Sequence, residues 1–83
     1  MKLNIYSIKD TKIGYMSPIY LQNDGVAIRE FANLAKDVNK NIVNTNAEDK
    51  ELWLLGHFDD QTGEILSEVR FIAKAVDFVA EKA

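Results

Sequence analysis

The chain has 83 residues, 47% hydrophobic and 28% charged, with ten basic against thirteen acidic side chains, one histidine and no cysteine. A net charge of −3 excludes the strongly basic proteins that bind nucleic acid mainly by counterion release, although it allows a local basic patch. The lack of cysteine removes disulfides, thiolate metal sites and thiol nucleophiles, and fits a reducing cytoplasm.

Residues 1–83 are read as one domain, because a chain this short buries only about 60 to 65% of the surface its unfolded form exposes. Its stability margin is expected to be thin, and self-association is one way such scaffolds gain more. No apolar run approaches the roughly 20 residues of a membrane span, and no basic-then-apolar leader opens the chain. The expectation is a soluble cytoplasmic protein without membrane contact.

In chain order, residues 2–9 (KLNIYSIK) read as a strand, with Leu3, Ile5 and Ser7 on one face and Asn4, Tyr6 and Ile8 on the other. Turn chemistry in DTKIG leads to a second extended segment at 15–22, where Pro18 suits an edge or a bulge. Residues 24–38 carry the strongest periodic signal. Ala27, Ile28, Phe31, Leu34, Ala35 and Val38 recur three and four apart, with Asn23 or Asp24 as the cap of an amphipathic helix. An asparagine-rich loop follows, with room for one helical turn at 47–50.

Residues 51–58 (ELWLLGHF) read as a third strand, Leu52, Leu54, Gly56 and Phe58 alternating with Glu51, Trp53, Leu55 and His57. DDQTGEI then turns, with Gly63 at the position that needs a positive φ, into a fourth strand at 64–66. In the tail, Val69, Ile72, Val76 and Val79 fit a helical face while Val69, Phe71, Ala73 and Ala75 fit strand alternation; the alanine and lysine content favours a helix from Val69 onward. The expected fold is a two-layer α+β domain. It has a four-stranded, mainly antiparallel sheet of two hairpins, one amphipathic helix between them and a C-terminal helix.

Tyr6 and Ile8 with Trp53, Leu55 and His57 would then form a second apolar sheet face that needs cover from the tail, a ligand or a second subunit. A homodimer is the expected solution, closed dimers being the commonest oligomers.

The sequence offers no familiar active site. His57 has no second histidine, the acidic pairs lack the spacing of a calcium loop, and the four glycines are scattered rather than gathered in a phosphate loop. No catalytic residue, metal or cofactor is assigned. What remains is aromatic plus basic: Tyr6 and Trp53 as stacking surfaces, with Lys2, Lys9, Lys12, Arg70 and Lys74 placed to contact phosphates. The bland reading is that these aromatics fill a core or a subunit interface.

Three stretches, MKLNIYSIKD, SPIYLQNDGVAIREFANL and ELWLLGHFDDQTGEI, fall in order within residues 1–66. Together they resemble the small nonstructural protein of gokushovirus-type microviruses, single-stranded DNA phages. The matching positions are Asn23, Asp24, Ala27, Arg29 and Phe31 at the helix and Gly56, Phe58, Asp59, Thr62 and Gly63 at the hairpin. Of these, Arg29 lies on the polar helix face without a structural task, and joins the candidate DNA contacts. The resemblance implies a non-enzymatic phage protein in the bacterial cytoplasm that binds single-stranded DNA during viral DNA replication or single-strand synthesis. The alternative is an interaction module that recruits phage or host replication proteins, or capsid components, without touching nucleic acid.

Overall fold

The computed structural model of the chain describes residues 1–79. The periodic stretch forms helix α1 (Asp24–Lys36), capped by Asn23, whose Oδ1 accepts the Val26 amide at 2.9 Å. Asp24 occupies the first turn, where a carboxylate suits the helix dipole. The helix ends two residues short of the expected 24–38, because Asp37 turns into extended backbone at ψ 140°. Two loop asparagines donate to carbonyls at this end: Asn41 Nδ2 to Leu34, which also accepts the Asp37 amide, and Asn44 Nδ2 to Asp37. Val38 is left 97% exposed beyond the helix, and fully buried Val43 fills the core instead.

The sheet is antiparallel throughout and has five strands rather than four: β1 (Lys2–Asp10), β2 (Gly14–Tyr15), β3 (Ile19–Leu21), β4 (Lys50–Asp59) and β5 (Ile65–Lys74). Their order is β2-β1-β4-β5, with β3 also paired to β1. The extended segment at 15–22 is broken by Pro18, which has no amide hydrogen to donate. The Ser7 hydroxyl spans the break, donating to the Met16 carbonyl at 2.7 Å. A short 3₁₀ turn at Ala47–Asp49 leads into β4, and Gly63, at φ 78°, closes the β4–β5 turn with its amide 2.8 Å from the Asp59 carbonyl.

The C-terminal helix expected from Val69 does not form over the described residues. β5 instead runs ten residues to Lys74 and is followed by a 3₁₀ turn at Ala75–Asp77. The reason is tertiary. As a strand the segment pairs with β4 along its length, Phe71 opposite Trp53 and Ala73 opposite Leu52; of the helical stripe only Ile72 packs against the core, and Val69, Val76 and Val79 are exposed. The remainder of that expected helix, 80–83, lies outside the described residues.

One irregularity in β4 sets the faces. Tyr6 pairs with Leu54 and Ile5 with Gly56, so Leu55 is an extra residue without a partner on β1. Before this bulge Leu52 and Leu54 share the helix side with Tyr6 and Ile8; after it His57 joins that side beside Asn4, and Gly56 and Phe58 turn outward. The second apolar face expected from Tyr6, Ile8, Trp53, Leu55 and His57 therefore does not exist. Tyr6 and Trp53 lie on opposite sides, and the core beneath α1 is Tyr6, Leu52 and Leu54 with Ala27, Phe31, Ala35, Val43 and Ala73. The tail follows the helix, Phe78 meeting Phe31 edge to face at 6.3 Å.

Candidate functional site

Strand pairing decides which side chains gather on the face away from α1. Lys9 is opposite Tyr15, Ser7 opposite Trp53, and Trp53 opposite Phe71, so Tyr15, Lys9, Trp53 and Phe71 form one row across β2, β1, β4 and β5. Tyr15 and Trp53 meet edge to face at 6.0 Å, and Trp53 and Phe71 at 5.7 Å. The Lys9 ammonium sits 4.8 Å from the Trp53 ring centre and 5.2 Å from that of Tyr15, within cation–π range. Glu51 fixes the indole by accepting its Nε1–H at 2.8 Å. Further along the same face Tyr20 and Phe58 pack at 5.6 Å.

Tyr15 is 44% exposed and Phe71 42%, while α1 and the tail as far as Val79 lie on the other side of the sheet. A ring-braced row that is exposed at Tyr15 and Phe71, with half-buried Trp53 and an ammonium between them, can do two things chemically. It can present π-faces and edges to flat aromatic groups, and it can place positive charge beside them.

The helix side holds a different constellation, a closed ring of hydrogen bonds around the start of α1. Asn4 Nδ2 donates to the Tyr6 hydroxyl at 2.9 Å, that hydroxyl donates to Asp24 at 2.5 Å, and Arg70 donates to the other Asp24 oxygen at 3.0 Å. Arg70 Nε also reaches Glu68 at 3.4 Å; Glu68 lies 2.9 Å from His57 Nε2, and His57 Nδ1 lies 2.9 Å from Asn4 Oδ1. Both imidazole nitrogens thus lie within hydrogen-bond reach of side-chain oxygens, which fixes the ring between β1 and β5.

The Tyr6 hydroxyl bond, and then Arg70, hold the Asp24 carboxyl below the ordinary carboxylate range; the His57 bond, and then Arg70, do the same for Glu68. Burial, with the hydrogen bond to Asp24, pushes the Tyr6 hydroxyl up to about 12. Carboxylates held ionised are poor general acids, and every member of the ring has a partner. The ring fastens the start of α1 to three strands.

The residues expected at a nucleic-acid site are therefore divided between the two sides. Trp53 and Lys9 meet on the outer face, and Lys74, opposite Glu51, joins them there. Lys12 is exposed in the turn at the same end of the sheet. Tyr6 is fully buried in the polar ring and presents no surface for stacking. Arg70 is bound to Asp24 on the helix side, Arg29 is exposed on α1, and Lys2 is exposed at the far end of β1 opposite Asp59.

The structure adds Tyr15 and Phe71, which sequence reasoning missed. Tyr15 could have been found from the tight register of the first hairpin, and Phe71 from the strand alternation of the tail. The chain matches, over residues 3–78, the model of a family described as "Phage ORF5 protein". No curated protein and no solved structure matches it significantly.

Proposed function

The chain belongs to the phage ORF5 protein family, and from that membership together with the outer face we propose that this phage protein binds single-stranded DNA without catalysing a reaction. The observation that carries this reading is the outer-face row in which exposed Tyr15 and Phe71 flank half-buried Trp53, with Lys9 set between two of its rings. Unpaired bases stack on such rings at about 1 to 3 kcal/mol each, independent of sequence, while lysines follow the phosphates. A duplex hides its base faces, so single strands are the fitting substrate.

The role lies in replication or single-strand synthesis in the infected bacterial cell, as expected of a microvirus nonstructural protein. With a net charge of −3, affinity is modest and falls steeply with salt. Anisotropy titration of a labelled oligothymidylate at low and moderate salt tests this. Binding at low salt, weakened by Trp53→Ala and weak for a duplex of equal length, is the expected result; no binding with tens of micromolar protein overturns it.

The reading as an interaction module that recruits replication or capsid components is favoured by one feature, the long exposed strand β5 at the sheet edge. It predicts that protein partners persist in pull-downs from infected cells after nuclease treatment.

A further inference from the structure

The two edges of the sheet are unlike. On one side β2 and β3 are two and three residues long and are interrupted at Pro18, the usual ways in which an edge is kept from pairing with another chain. On the other side β5 is ten residues long, every residue from Ile65 to Phe71 is exposed, and among the described residues no strand pairs with its outer side. Its outward face carries Ile65, Val69 and Phe71, 64%, 58% and 42% exposed. Such an edge offers both backbone hydrogen bonds and apolar area.

We propose that two copies of the chain pair edge to edge along β5, antiparallel about Val69. The strand is self-complementary in this register. Glu68 and Arg70 flank Val69, so a two-fold axis there sets Glu68 of each copy opposite Arg70 of the other, with Val69 against Val69 and Phe71 against Ser67 on the outward face. A parallel, in-register pairing would set glutamate against glutamate and arginine against arginine. The Glu68 and Arg70 side chains remain about half exposed after their bonds within the chain, at 52% and 47%, and so are within reach of a partner.

The axis stands perpendicular to the sheet. Both copies of α1 therefore lie on one side and both aromatic rows on the other, forming one ten-stranded platform. The pairing stands on the edge itself and does not rest on DNA binding. Where DNA binds, a single strand crosses both copies.

The test uses the full chain without DNA, so that its failure is separate from failure of the DNA reading. Light scattering across the micromolar range is expected to give twice the 9.4 kDa chain mass. The chain has no cysteine, so Val69→Cys reports on the axis: under mild oxidation it forms a disulfide-linked dimer much faster than Val38→Cys, placed at a fully exposed site away from β5. Glu68→Lys weakens dimerisation by about tenfold or more, because two attractive pairs become repulsive; Val69→Lys, on a side chain outside the polar ring, weakens it as well, so that loss of the Glu68 bonds to His57 and Arg70 within the chain is not what separates the copies. A 9.4 kDa mass at all concentrations overturns the proposal. So does a dimer that Glu68→Lys leaves intact, or cross-linking no faster at Val69 than at Val38.

Discussion

Trp53 and Tyr6 stand close along neighbouring strands and yet do opposite work, and the difference is which side of the sheet each side chain takes. Trp53 is held by Glu51, flanked by two rings and approached by Lys9. Trp53→Ala is expected to weaken single-stranded DNA binding by about 1 to 3 kcal/mol, and Lys9→Gln to lower the salt dependence of log K by about 0.7; titrations at several salt concentrations check both.

Tyr6→Phe should leave DNA binding alone and lower stability by about 1 kcal/mol, read as a shift in the denaturant midpoint. It should also change the pH profile. Tyr6 ionises at about 12 in the folded chain, above its unfolded value near 10, so its contribution is intact below about pH 10 and is lost as pH rises through about 12. Asp24 and Glu68 are held low, so their contribution is present above about pH 4 and is lost as pH falls through their folded values. In Tyr6→Phe the alkaline loss due to this hydroxyl disappears, and Asp24 moves back toward its ordinary range.

The bulge in β4 is the element on which the assignment of faces depends, and Gly56 permits it. A Cβ at Gly56 would fall on the backbone carbonyl oxygen of Leu66 in β5, which no rotamer change can relieve. Gly56→Ala is expected to cost more than about 2 kcal/mol and to speed amide exchange along the β4–β5 hairpin more than in α1.

This bulge also explains how far the sequence could be read. Helix α1, a cap at Asn23 or Asp24, the faces of β1 and the Gly63 turn were legible because each follows from local chemistry: a 3.6-residue period, a short side-chain acceptor, strict alternation, a positive φ. Alternation in β4 was carried straight through Leu55, which joined Trp53 to Tyr6 and hid the true partners of both. The tail had two periods at once. Pairing with β4 chose the strand, and only that choice brings Phe71 beside Trp53.

At the scale of the molecule, the sheet and its long hairpin give an elongated body of 49 × 24 × 18 Å with α1 on one side and the aromatic row on the other. The helix side holds an apolar core, a self-satisfied polar ring and a small apolar cavity of about 40 Å³ between α1 and β3, and the larger surfaces left for a partner lie on the outer face and along the β5 edge. Lys9, Lys12 and Lys74 lie at the end of the sheet that carries Tyr15, Trp53 and Phe71, with Glu51 on the same face between Lys9 and Lys74, so the proposed DNA affinity rests on stacking more than on charge.

Trp53 is the only tryptophan, so its intrinsic fluorescence reports directly on the proposed surface. Adding unlabelled oligothymidylate at low salt is predicted to quench that fluorescence saturably, with recovery on raising the salt. DNA binding detected by anisotropy while Trp53 emission stays unchanged, or no binding at all, would contradict the account.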